Sequence, residues 1–134
     1  MIASRKKRAT GIIVISLIAL AAIAFLSLHM WIGISVRQNI ALAEKKYPGT
    51  PEEALISYLQ DDTNTFRDRT HIAIWTLGQI RSARALPILE GYYQNDPKGG
   101  TCYGRHDSVL CQYELHKAIV KIKKGWILSY AYLK

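Results

Sequence analysis

Between Arg8 and Arg37 the chain carries no formal charge, and residues 11–36 read GIIVISLIALAAIAFLSLHMWIGISV, dominated by Ile, Leu, Ala and Val. A helix of that length rises about 39 Å, enough to cross a hydrocarbon core of about 30 Å with some tilt. Soluble helices of this length and uniform apolarity are rare, so the run predicts a transmembrane helix over 11–36, with the lipid bilayer as its partner. The alternative is a cleaved secretory signal. Arg5-Lys6-Lys7-Arg8 resembles a basic n-region, and Ala41-Leu42-Ala43 offers an A-x-A site before Glu44. The run is longer than a signal's apolar core, however, and Trp31 falls near its outer end, where an interfacial anchor belongs.

The cluster Arg5-Lys6-Lys7-Arg8 lies on a tail, residues 1–10, too short to be a domain. The positive-inside rule keeps such a tail in the cytoplasm and puts the rest of the chain outside it, periplasmic if the membrane is an inner one. The net charge of +8 then changes meaning. Five of its cations, Arg5, Lys6, Lys7, Arg8 and Arg37, flank the apolar run, whereas from Glu44 onward there are 13 Lys and Arg against 10 Asp and Glu. A dedicated nucleic-acid binder would cluster its basic residues on the folded part, so none is expected as a partner. His29 is the only ionisable group in the span, close enough to the interface to be hydrated.

After a linker expected over 37–49, helix signals recur through 50–134. Thr50-Pro51-Glu52-Glu53 combines an N-cap, a Pro at the first helical position and a Glu three residues on. That helix should stop at Asp61-Asp62-Thr63-Asn64. Phe66, Thr70, Ala73, Leu77 and Ile80 write a second helix by steps of 4, 3, 4 and 3. Ser82 is placed to cap a third through Leu86, Leu89 and Tyr92, and Asp107 a fourth through Leu110, Leu115, Ala118, Ile119 and Ile122. Lys123-Lys124-Gly125 then suits a C-terminus.

Four short helices invite a search for repeats, and Leu77-Gly78-Gln79-Ile80-Arg81 matches Ile119-Val120-Lys121-Ile122-Lys123 at an offset of 42 residues, a solenoid period. The run from Arg69 to Ile80, RTHIAIWTLGQI, followed by Ala83-Arg84-Ala85-Leu86-Pro87-Ile88-Leu89, resembles the HEAT repeat, in particular the subtype also found in phycobilin lyases. In that family an Arg opens the second helix, Leu-Gly precedes a turn, and Ala-x-Pro-x-Leu begins the next repeat. The match covers residues 53–92. The opening Arg is displaced by about two positions, and Val120 replaces the Gly in the second unit. The resemblance implies a short HEAT-like α-solenoid of about two repeats and a partial third, so that with the apolar run the expected fold is all-α, one transmembrane helix followed by the solenoid. First helices 31 residues apart and then 42 give the second unit an inserted loop at 95–106.

Cys102 and Cys111 bracket that insertion, and a disulfide between them suits a domain this small in an oxidising compartment. The rival is a metal site, since Cys102, His106, Cys111 and His116 are ligand types that zinc prefers. Five helical residues turn His116 about 140° from Cys111, against that reading. No nucleophile motif, phosphate loop or H-E-x-x-H occurs, so neither catalysis nor a cofactor or small-molecule substrate is expected. Lys117, Lys121 and Lys124 recur at helical spacing as a solvated face, with lipid headgroups the alternative. The aromatic tail, with Trp126, Ile127, Tyr130 and Tyr132, falls where a third repeat would begin. It either caps the domain's own core or docks on a partner.

Solenoids usually need three or more repeats. An incomplete one suggests a non-catalytic accessory or stabilising subunit of a larger membrane complex, acting by protein–protein interaction. A stand-alone binding module for an extracytoplasmic ligand or envelope polymer is the alternative, and a lyase-related enzyme or helper the remote one.

Overall fold

A computed structural model of the protein describes residues 2–102 and 108–125, with side chains from Lys7 on. Asp107, expected to cap a helix, His106 of the rival metal set, and the docking candidates Trp126, Ile127, Tyr130 and Tyr132 lie outside these residues. Everything regular among the described residues is helical, and one long apolar helix comes first. Two compact units divide the chain at Ile34/Ser35.

Helix α1 runs Ile2–Lys46. In the first unit its side chains are exposed all round: Ile12, Ile18, Ile23, Leu26 and Trp31 each show 60–65% of their surface. An 18-residue window there has a mean hydropathy of 2.8 and no buried residue, so α1 is long and apolar enough to cross a membrane. The ring of Phe25 stacks on His29 one turn later, centroids 6.2 Å apart.

Residues 37–46, expected as a linker, are instead the end of α1. No Gly or Pro interrupts them, and Val36, Ile40 and Ala43, spaced by four and three, form a stripe buried in the second unit. The break comes at Pro48-Gly49, where Gly49 takes a φ of +132°.

Helix α2 (Pro51–Gln60) starts with the expected capping box, in which Thr50 Oγ1 accepts the Glu53 N–H and the Glu53 carboxylate accepts the Thr50 N–H. It buries Ala54, Leu55, Ile56, Tyr58 and Leu59. Past its end, Asp61 Oδ1 accepts the Thr63 N–H at 2.8 Å and the Asn64 amide donates to Tyr58 O at 2.9 Å, closing the turn. Tyr47, just beyond α1, donates to the Asp61 carboxylate and accepts from the Asn64 amide, tying the end of α1 to this turn.

The second helix is not uniform. α3 (Phe66–Asp68) passes into a π-helix (Arg69–Ile74) and then α4 (Trp75–Gln79). Of the stripe read from sequence, Thr70, Ala73 and Leu77 are buried, but Phe66 stays 37% exposed, because the wider π turn rotates residues before it relative to those after. Arg81 then takes φ +55°, and the N–H groups of Ser82 and Arg81 bond to the carbonyls of Leu77 and Gly78, a Schellman ending with Arg where Gly is usual.

Ser82 caps a turn, not the third helix directly. Its Oγ accepts the Ala85 N–H at 3.0 Å, and α5 (Leu86–Tyr92) follows. Helix α6 (Gln112–Lys124) begins two residues after Leu110 with Cys111 at its N-cap, and ends as expected at Gly125. Leu55, Leu59, Ile74, Leu77, Leu89 and Leu115 are fully buried at the centre, where α6 packs on α4 and α5, and α2 on the π-helix.

Candidate functional site

Arg69 opens the π-helix and is 3% exposed. A guanidinium leaves water only when its donors are met. Here Nε donates to the Leu59 carbonyl at 2.6 Å, one of the last-turn carbonyls of α2 that the helix itself cannot satisfy. Its other nitrogens donate to Asp62 Oδ1 at 2.9 Å and the Tyr92 hydroxyl at 3.4 Å. The rings of Phe66 and Tyr92 each lie 5.6 Å from the guanidinium carbon, adding cation–π attraction. One side chain thus joins the end of α2, the start of the π-helix and the end of α5.

A cavity of about 460 Å³ opens on this arrangement. Among the described residues, Asp62, Phe66, Arg69, Tyr92, Gln94 and Gln112 line it, with Thr101, Ser108, Val109 and Leu110. Gln112 is almost wholly buried, its carbonyl accepting the Gln94 N–H at 2.7 Å and its amide donating to Tyr92 O at 3.2 Å. It pins the chain after α5 to the first turn of α6.

Cys102 and Cys111 lie at disulfide distance, Cα to Cα 5.0 Å, and both are buried. Thr101 and Leu110, their sequence neighbours, line the cavity. The Cys111 N–H donates to the Thr70 hydroxyl at 3.4 Å. The start of the inserted loop is ordered by Asp96, whose carboxylate accepts from the N–H groups of Gly100 and Thr101 and from the Thr101 hydroxyl. The Thr101 N–H holds the Asp96 carboxyl below the usual carboxylate range. Gly99 at φ +67° passes so close to Tyr113 that a Cβ would sit 2.6 Å from that residue's own.

Three of the four residues of the rival metal set are among the described residues. His116 Nδ1 lies 3.2 Å from the Tyr93 hydroxyl, Cys102 is paired with Cys111, and His106 is outside the described residues. Among the described residues no group of three or more His, Cys, Asp or Glu side chains is placed to hold a metal.

The lysine row divides. Lys117 pairs with Glu114 at 2.7 Å and lies over the Tyr113 ring, and Lys124 is exposed. Lys121 is not simply solvated. It borders a small hollow with Trp75, Gly78 and Gln79, and burial, then the charge of Lys117, push its ammonium below the ordinary lysine value.

Sequence reasoning singled out the cysteines and passed over Arg69 as a site. The available signal was a cation among Phe66, Thr70 and Ala73, on the side of the helix otherwise read as core. Comparison of the chain with protein-family models, curated proteins and solved structures finds no match.

Proposed function

We propose that this is a single-pass membrane protein whose C-terminal unit, a short HEAT-like solenoid, is a non-catalytic interaction domain serving as an accessory or stabilising subunit of a larger membrane complex. The carrying observation is α1. Its first unit exposes an apolar surface on every side, while the second unit closes a core of its own around Leu55, Ile74, Leu77, Leu89 and Leu115. Water does not tolerate an apolar surface of that extent, and a bilayer removes the cost. The basic cluster Arg5-Lys6-Lys7-Arg8 favours a cytoplasmic N-terminus. The cysteine pair Cys102/Cys111 favours an oxidising compartment for the second unit. The repeat at an offset of 42 residues and the short helices favour the HEAT-like reading.

Extraction in a mild detergent tests this. The expected result is an assembly larger than the monomer, holding a second membrane protein in fixed stoichiometry. A monodisperse monomer that copurifies with nothing overturns it. A second reading, a stand-alone binding module outside the cytoplasm, is favoured by the 460 Å³ cavity at Arg69.

A further inference from the structure

Ala41-Leu42-Ala43 reads as a processing site in sequence, and the structure places it inside α1. A protease needs backbone that is exposed and released from its hydrogen bonds, as at loop tips and fraying termini. The bond after Ala43 meets neither condition. Ala43 is 0% exposed, its carbonyl accepts the Tyr47 N–H at 2.8 Å, and Glu44, Lys45 and Lys46 continue the helix past it.

The residues on both sides of that bond are tied into the second unit. Before it, Val36 and Ile40, each 2% exposed, share the buried stripe with Ala43. The Asn39 amide donates to Thr76 Oγ1 at 2.9 Å and to the His71 carbonyl at 3.2 Å. That second bond answers the π-helix: the Trp75 N–H reaches back five residues to the Thr70 carbonyl, and the carbonyl four residues back, that of His71, takes the Asn39 amide. After it, Lys46 Nζ donates to Asn64 Oδ1 and the Tyr47 hydroxyl to the Asp61 carboxylate. A cut after Ala43 would strip from the unit three buried apolar side chains and both bonds of the Asn39 amide.

We propose that residues 36–47 are a permanent part of the second unit: the peptide bond after Ala43 stays uncut, and the unit depends on Asn39 and on the stripe of Val36, Ile40 and Ala43 to stay folded. The apolar run is then no removable leader, because its distal end is built into a domain core. One consequence, that the second unit is never shed from the bilayer, rests on the reading of α1 as a membrane span.

Mass spectrometry reads the junction directly. Trypsin cuts after Arg37 and Lys45, so the denatured protein, taken from cells that make the full chain, should yield residues 38–45, QNIALAEK, in one piece. A protein whose first residue is Glu44 would overturn the proposal, in whichever fraction it is found. Chemical denaturation of the full chain in micelles reads the dependence. Asn39→Leu should lower the folded-to-unfolded ratio about tenfold, since it leaves the His71 carbonyl and the Thr76 hydroxyl without this donor. Gln38→Leu makes the same kind of exchange at an exposed neighbour and should change the ratio by no more than about twofold. Equal effects of the two variants would also overturn the proposal. An intact junction in a chain that carbonate releases into the soluble fraction upholds it and overturns the membrane reading alone.

Discussion

Gly78 rests directly on Ala118, and a Cβ at residue 78 would come within 2.9 Å of both the Cα and the Cβ of Ala118. Two small residues therefore let the backbones of α4 and α6 meet. Gly78→Ala should destabilise the second unit by about 1–3 kcal/mol, because overpacking outweighs the gain in helix propensity. Chemical denaturation of the full chain in micelles measures it. Gly91→Ala, where nothing lies within 4 Å of the added methyl, should be neutral or slightly stabilising and serves as the control.

The Arg69–Asp62 pair is lopsided, with 4% of one side chain exposed and 90% of the other. Asp62→Asn should cost less than about 1 kcal/mol, as exposed partners do. Arg69→Met should cost about 2–4 kcal/mol, since it strands the Leu59 carbonyl that Nε caps. Equal losses in the two unfolding curves would contradict this account.

Cys102 and Cys111 close a short loop, nine residues apart in sequence. In the entropic treatment, opening it by Cys102→Ser with Cys111→Ser should lower stability by about 2–3 kcal/mol. Thiol titration of the denatured wild-type chain should find no reactive thiol. Two would count against the disulfide.

Acid should weaken the second unit through Asp61. The Tyr47 hydroxyl, followed by Thr63, holds its carboxyl well below the usual carboxylate range. A depressed folded value means the stabilisation is complete above the unfolded pKa of about 3.9 and is lost as pH falls toward the folded one. Glu53, lowered chiefly by Arg84, acts in the same direction. Asp61→Asn should therefore flatten stability against pH below about pH 5, with part of the slope retained through Glu53. Unfolding midpoints collected across that range provide the check.

In α1, Ile18 and Ile23 are both exposed and lie deep in the apolar run. Ile18→Arg and Ile23→Arg should each oppose insertion by about 2.5–3.5 kcal/mol at a central position. Together they should shift the protein from the carbonate-resistant membrane fraction to the soluble one.

Local patterns were legible wherever chemistry and spacing act over a few residues. The apolar run announced α1, Thr50 to Glu53 announced the start of α2, and Gly125 the end of α6. The same reading ended α1 too early, because residues 37–46 carry charges and only their packing shows Val36, Ile40 and Ala43 to be one buried stripe. It also missed the π-helix, which no periodicity of 3.6 can express.

Sequence alone therefore determined what depends on neighbours in the chain: a lipid-compatible helix, the capped start of α2 and the glycine end of α6. Only the tertiary structure decided that Arg69 is buried, that Leu59, Asp62 and Tyr92 share its donors, and that a cavity opens beside the disulfide-distance pair. The physical reason is that burying a charge becomes tolerable only when partners from several helices converge on it, and that convergence is a property of packing.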